Sequence, residues 1–135
     1  MSTATPISIA DSLARLTFLA DRTPATNDAE SQDAFAMLCP YRDGGIFIGH
    51  YAGCSQWERH GVGDELVYVV EGRTTLNCLE QGQEVANTLG SGELMVVPQG
   101  TWHRFETPDG VKIMTVTPQP TDHSKALPAS GPYGP

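Results

Sequence analysis

The chain has 135 residues, 39% hydrophobic and 18% charged, which is enough for one domain with its own core. Its formal net charge of −8 disfavours binding to nucleic acid or to an anionic membrane surface, because both need clustered lysine and arginine. Fourteen glycines and ten prolines indicate many turns, as in an all-β protein.

Neither end of the chain nor its interior carries a recognisable export or membrane signal. The N-terminal residues lack a basic region followed by an apolar run, and no stretch approaches the roughly 20 apolar residues of a transmembrane helix. The three cysteines lack CxxC spacing and are interpreted as reduced thiols. These features predict a cytoplasmic protein.

Residues 1–33 are predicted to form an N-terminal extension. Polar residues at 8–12 could cap a short helix, while the β-branched and aromatic residues around Phe18 also allow an early strand. The segment 23–33 is rich in Asn, Asp, Ser, Thr and Pro and is predicted to be a loop.

The segment 34–117 is predicted to be the folded domain. Short runs of β-branched, aromatic and alternating residues recur along it, and Gly, Pro, Asn or Asp clusters separate them, with the last such turn at 108–110. This spacing predicts an all-β sandwich or barrel of the jelly-roll type. The predicted strands are 34–39, 46–51, 56–60, 66–70, 73–78, 84–88, 93–97, 102–106 and 111–117.

The segment 118–135 is a proline-rich C-terminal tail. It has five prolines, two glycines and few large apolar residues. We expect it to be extended or disordered unless it docks on a partner, and His123 within it to face solvent.

A cluster of chemically reactive residues lies near the middle of the chain. Gln56, Glu58 and His60 alternate along a predicted strand and therefore point to one face. Glu65 follows after a Gly-Val-Gly-Asp turn, and His103 occupies a similar strand farther on. Carboxylates and imidazoles in this arrangement hold a divalent metal or perform acid–base chemistry. The other interpretation is a hydrogen-bonded polar pair, Glu58 with His60, that binds no metal.

These residues belong to a spaced pattern. Gly53 comes first, Glu58 and His60 flank one residue, Glu65 follows after four residues, and Gly72 after six more. The order resembles the first motif of the cupin family, which is Gly, five residues, His-x-His, three or four residues, Glu, six residues, Gly. Two positions depart from it, since Glu58 replaces the first histidine and Gly53 lies one residue closer.

A second pattern surrounds the later histidine. Gly92, Pro98 and Gly100 precede His103 at the spacings of the second cupin motif, which is Gly, five residues, Pro-x-Gly, two residues, His, three residues, Asn. Thr107 stands at the position of the asparagine. Two spaced motifs in this order make the chain similar to a small single-domain cupin over the predicted all-β domain.

The resemblance implies a cupin-type jelly-roll β-barrel with a divalent transition metal (Fe, Mn, Ni or Zn) and a small organic substrate. Small cupins include dioxygenases, isomerases and decarboxylases; oxygenase chemistry ranks first because two imidazoles with carboxylates resemble the sites of non-haem iron enzymes. Gln56, which could equally be a plain strand residue, and Phe105 are predicted to contact the substrate. By position, the implied metal ligands are Glu58, His60, Glu65 and His103.

Two other functions stay open from the sequence. The missing first histidine favours a non-catalytic cupin that binds or senses a small metabolite without metal. Metal-free acid–base catalysis by Glu58 or Glu65 with His60 is the third interpretation. Apolar strand faces and the proline-rich tail also predict a homodimer, because edge strands need cover.

Overall fold

The computed structural model describes residues 4–128. The described residues form two short helices and nine strands, which confirms the predicted all-β fold. In chain order the elements are α1 (Ile9–Ala14), β1 (Leu19–Arg22), α2 (Asp28–Ser31), β2 (Phe35–Tyr41), β3 (Gly44–Cys54), β4 (Trp57–His60), β5 (Glu65–Glu80), β6 (Gln83–Gly90), β7 (Leu94–Val97), β8 (His103–Pro118) and β9 (Thr121–Ser124).

The N-terminal extension contains both of the structures that its sequence allowed. Ser8 caps α1, its hydroxyl accepting a hydrogen bond from the Asp11 amide at 3.1 Å, and β1 then pairs in parallel with β3. The segment predicted to be a loop includes the single turn of α2. Asn27 and Glu30 form a reciprocal capping box there, which is why this polar segment becomes helical.

Strands β3, β8 and β5 form the centre of the sheet. β8 pairs antiparallel with both β3 and β5, while β2 extends the sheet beyond β3, and β6 and β7 both pair with β5. β4 joins β8 to β9 at the end of the sheet that holds the reactive cluster. The result is a jelly-roll arrangement of the cupin type, curved but not closed by one continuous ring of strand pairs.

β5 and β8 bend where the sequence predicted that strands end. The turn predicted at 108–110 is wrong, and the predicted runs 66–70 and 73–78 are one strand through Gly72, because β5 and β8 each continue for 16 residues. Gly72 has φ 87° and Gly110 has φ 96°, and a Cβ on Gly72 would lie 2.5 Å from the Gly110 carbonyl oxygen. Glycine therefore bends the two paired strands together without ending either.

The core lies between the two sides of the curved sheet. Its main cluster joins buried residues of β3, β5 and β8, including Tyr51, Val69 and Phe105. Trp57 and Trp102, which precede Glu58 and His103 in the sequence, pack with Leu79 in a second buried cluster. The reactive side of β4 is thereby left facing a cavity inside the curve.

Part of the proline-rich tail is ordered against the domain. β9 pairs antiparallel with β4, and Asp122 accepts hydrogen bonds from the Arg59 guanidinium at 2.6 and 3.0 Å. The tail is therefore extended but docked on its own domain; its remaining residues, 129–135, lie outside the described part of the chain. Within residues 4–128, neither helix has the length or the apolar character needed to cross a membrane.

Candidate metal centre

Three strands bring the four predicted ligands together. β4 carries Glu58 and His60, Glu65 is the first residue of β5, and His103 is the first residue of β8. Glu58 and His103 are direct partners across the β4–β8 pairing. Because Glu65 follows β4 after a four-residue turn, local chain geometry returns its side chain to the same end of the barrel.

The donor atoms of these residues converge. His103 Nε2 lies 2.9 Å from Glu65 Oε1 and 4.0 Å from Glu58 Oε1, and His60 Nε2 lies 3.4 Å from Glu65 Oε1. One donor atom each of Glu58, His60 and His103 all lie within 4.8 Å of one another. Donors bonded to one ion at about 2.2 Å lie about 3.1–3.6 Å apart at octahedral or tetrahedral angles, so this triad would have to close by up to about an ångström to hold one ion.

Each imidazole is oriented by its second nitrogen. His103 Nδ1 lies 3.0 Å from the Thr101 carbonyl oxygen, which can only accept, so Nδ1 carries the proton and donates it. His60 Nδ1 is paired with the Thr121 hydroxyl at 3.1 Å. In both residues this leaves Nε2 directed at the cluster, as metal-binding histidines require.

His60 Nε2 shows most directly that the site fits a metal. The atom is buried and has no hydrogen-bond partner among the described residues, although Glu65 Oε1 lies 3.4 Å away. A buried nitrogen without a partner is costly in a folded protein. A metal ion held by Glu58, His60 and His103 would satisfy it, and two imidazoles with one carboxylate are the donor set of non-haem iron sites.

Glu65 is held as a buried carboxylate. It accepts a hydrogen bond from the Thr117 hydroxyl at 2.6 Å on one oxygen and contacts His103 on the other. Burial raises its pKa, but the hydrogen bond from His103 and the nearby His60 imidazole outweigh burial and lower the pKa to about 2. Glu65 therefore stays ionised at neutral pH, either as a fourth ligand or as a charge partner of the histidines.

The pKa of His103 is shifted in the opposite direction, upward. Burial lowers its pKa, while the hydrogen bond and charge of Glu65, aided by the charge of Glu58, outweigh burial, so that the net pKa is raised. Both ring nitrogens face acceptor oxygens, which favours the imidazolium when no metal is bound. A metal at Nε2 would take the place of that proton.

A cavity of about 430 Å³ opens beside the cluster. Phe105, predicted to contact substrate, lines this cavity together with Glu58, His60 and Glu65. The rest of the wall combines apolar and polar side chains, as small-molecule sites commonly do. The other apolar wall residues are Phe35, Phe47, Ile48, Tyr51, Ile113 and Pro120, and the other polar ones are Arg22, Thr115, Thr117, Gln119, Thr121 and His123.

Gln56 lies elsewhere. Its side-chain amide donates a hydrogen bond to the Pro24 carbonyl oxygen at 3.0 Å, and it lines a separate cavity of about 100 Å³. Arg22, Glu58 and His123 line both cavities, so the two adjoin at these side chains. Contact between Gln56 and a substrate would have to be made from this smaller cavity and stays a prediction.

Sequence reasoning missed the contributions from both ends of the chain. His123, expected to face solvent, is 53% exposed, yet it lines the main cavity and its Nε2 lies 4.0 Å from Glu58 Oε2. Thr121 orients His60 from the same strand, and Arg22 reaches the cavity from β1. The alternation of Thr121 and His123 was the one available signal, and it predicts a strand with both side chains on one face.

Comparison with known proteins agrees with this architecture. The family model described as a cupin domain matches residues 50–117, which include all four predicted ligands. A crystal structure of a cupin-2 domain containing protein from Shewanella frigidimarina is 21% identical, with a TM-score of 0.61 over 84% of this chain and 94% of that one. A comparison with curated proteins found no significant match.

Two enzymes share the fold at lower similarity. Hydroquinone 1,2-dioxygenase, in complex with Cd²⁺ and 4-hydroxybenzonitrile, is 16% identical with a TM-score of 0.55, over 62% of this chain and 63% of that one. Oxalate decarboxylase from Bacillus subtilis is 16% identical with a TM-score of 0.52, over 58% of this chain and 23% of that one. The chain spans less than two thirds of either enzyme, and at these identities the likeness concerns the fold alone.

Proposed function

Since the chain belongs to the cupin domain family, we propose that it is a metal-dependent enzyme acting on a small organic molecule inside the barrel. Oxygenase chemistry is the first choice, ahead of isomerase or decarboxylase chemistry. The observation that carries the proposal is the buried, unpartnered Nε2 of His60, placed among one carboxylate and a second imidazole. Such a donor set suits Fe(II), Mn(II), Ni(II) or Zn(II).

In this proposal three residues of the cluster bind the metal, and two neighbouring groups orient the imidazole rings. Glu58, His60 and His103 would hold the metal, which would supply Lewis acidity and, as Fe(II), reactivity toward oxygen. Thr121 and the Thr101 carbonyl fix the two imidazole rings.

Glu65 and the aromatic walls of the cavity would act together with these ligands. Glu65, ionised and buried, would join the ligands or hold the two imidazoles as their charge partner; its pKa of about 2 makes it a weak proton acceptor. The aromatic walls offer apolar surface against which the body of a substrate would pack.

Metal titration is the direct test. Protein stripped with a chelator is titrated calorimetrically with Mn(II), Ni(II) and Zn(II), and anaerobically with Fe(II). We expect one ion per chain in the wild type and loss of binding in His60→Ala. His50→Ala is the matched control, because His50 packs on Phe18 outside the cluster. Oxygen uptake by the iron-loaded protein with small organic substrates then tests the reaction; a wild type that binds none of these ions contradicts the proposal.

A second candidate is a cupin that binds or senses a metabolite without metal. It is favoured by the ion pair between Glu65 and His103, which satisfies both groups at 2.9 Å with no ion present. Thermal shifts with metabolites in the presence of chelator, and none with metals, would support it. Catalytic activity that survives chelation would instead indicate acid–base catalysis by Glu58 or Glu65 with His60.

A cytoplasmic location and a homodimer stay predictions. The dimer is supported by an apolar outer face on which Leu94 is 59% and Val96 is 48% exposed, next to Leu66 and Tyr68 on the paired strand. Light scattering after size exclusion tests it, with Val96→Glu expected to give a monomer. A monomeric wild type at micromolar concentration would contradict the prediction.

A further inference from the structure

We propose that Arg22 recognises the anionic group of the substrate, so that the cavity takes a small carboxylate with an aromatic or branched apolar body. For the reaction this inference rests on the proposed function, whereas the binding preference can be tested without it. Among the described residues that line the cavity, Arg22 is the only lysine or arginine. The chain as a whole carries a net charge of −8, so an anion needs a specific cation to enter.

The guanidinium of Arg22 is held in place by aromatic rings. Its Cζ lies 4.8 Å from the centroid of Phe35 and 4.6 Å from that of Tyr51, and both rings are cavity walls. Cation–π contact and the planar fork of arginine orient the donors before a ligand arrives. Arginine pairs with a carboxylate through two parallel hydrogen bonds, which gives geometric selectivity as well as affinity.

The charge of Arg22 is available to a ligand. The arginine and lysine ion pairs among residues 4–128 are made by Arg59, Arg104 and Lys112, at the outside of the barrel. Glu58 lines the same cavity, but its carboxylate oxygens each lie 4.0 Å from a histidine, His103 or His123.

The backbone fixes the position of Arg22 independently of its side chain. Arg22 pairs with Gly53 across β1 and β3, and Gly53 has φ 115°. A Cβ on Gly53 would lie 2.0 Å from the Arg22 carbonyl oxygen, so β1 approaches β3 more closely than any other residue would permit. The close pairing brings the end of β1, and Arg22 with it, to the cavity wall.

The cavity then defines a ligand with two different ends. Arg22 binds the carboxylate at the side of the cavity where Glu58 and His123 also lie, and the apolar body packs between Phe47, Ile48 and Ile113. A volume of about 430 Å³ accommodates a benzoate-sized molecule with room for a further substituent.

The test compares charged and neutral ligands of the same shape. The full chain, metal-free and loaded with redox-inert Zn(II), is titrated with benzoate and benzamide and with isobutyrate and isobutyramide. We expect at least one carboxylate to bind at least 10-fold more tightly than its amide. Arg22→Gln should abolish this preference, leave the affinity for the amides unchanged, and leave Zn(II) affinity unchanged; Arg22→Lys should retain part of it.

Arg73→Gln is the control, because Arg73 is exposed and lines no part of this cavity, yet the substitution changes net charge equally. Wild-type protein that binds no probe, or carboxylate and amide equally, would overturn the proposal without any variant. Arg22→Gln protein that keeps the preference would do the same. Wild-type protein that binds no metal but still prefers the carboxylate over the amide would overturn the proposed function and leave this inference standing.

Discussion

Replacing Glu65 by glutamine should destabilise the metal-free protein and make the loss depend on pH. Glu65 is 3% exposed and its pKa of about 2 lies well below the ordinary 4.5. At about 1.4 kcal/mol for each pKa unit, ionised Glu65 contributes about 3 kcal/mol to the free energy of unfolding at neutral pH. Removing one partner of a buried ion pair has a cost of the same order.

The sign of the pH dependence follows from the direction of each shift. Because the folded pKa of Glu65 is depressed, its contribution is complete above pH 4.5 and is lost as the pH falls toward about 2, so at pH 3 about half remains. Because the folded pKa of His103 is raised, its contribution is complete below pH 6.5 and is lost as the pH rises through that folded value. The difference between wild type and Glu65→Gln should therefore be largest near pH 6.

Urea unfolding followed by tryptophan fluorescence measures this difference, since Trp57 and Trp102 are both buried. We expect about 3 kcal/mol at pH 6 with chelator present, falling to about half at pH 3. Glu71→Gln is the control: Glu71 pairs with Lys112 at the surface, with 69% of its side chain exposed, and should change stability by less than about 0.5 kcal/mol. A difference below about 1 kcal/mol for Glu65→Gln, or one that does not vary with pH, would refute the reasoning.

Three further predictions concern the metal, β9 and the bent strands. Metal affinity should fall as the pH is lowered, because the metal displaces a proton from His103, whose pKa is raised; calorimetry in buffers of different ionisation enthalpy counts that proton. Asp122→Ala should speed amide exchange in β9 and weaken metal binding several-fold, since β9 brings Thr121 to His60; unchanged exchange would contradict it. Gly110→Ala should lower stability by about 1–3 kcal/mol in thermal unfolding, because its φ is 96°; an unchanged melting temperature would argue against strain there.

The sequence predicted the candidate site well where the determinants are local. Glu58 and His60 share a face because strand side chains alternate, and Glu65 returns to them after a short turn. His103 could be added because a second spaced motif resembles that of a known family. One donor atom each of Glu58, His60 and His103 lies within 4.8 Å of the others, an arrangement that alternation, turn length and motif order led us to expect; their role as metal ligands stays a prediction.

The missed features depend on long-range pairing. β1 pairs with β3 in parallel across about thirty residues of chain, and β9 pairs with β4 across about sixty. The alternation of Thr121 and His123 is the one pattern that either short strand offers, and proline content argues against order in the tail. The positive φ of Gly72 and Gly110 is likewise set by close contact between the paired strands β5 and β8, so a glycine that bends a strand looks the same in sequence as one that ends it.

Glu58 lies between the residues that the sequence motifs predicted and strand β9, which they did not predict. Its Oε1 faces His103 of the motif core, while its Oε2 faces His123 of β9, each at 4.0 Å. A carboxylate can serve a metal with one oxygen and a second partner with the other, in directions that the two nitrogens of an imidazole ring cannot reproduce. Histidine at position 58 would therefore keep one donor atom for a metal but could not face both His103 and His123 with its side chain. As a proposed ligand, Glu58 would thus also link the cluster to β9, which pairs with β4 at this residue.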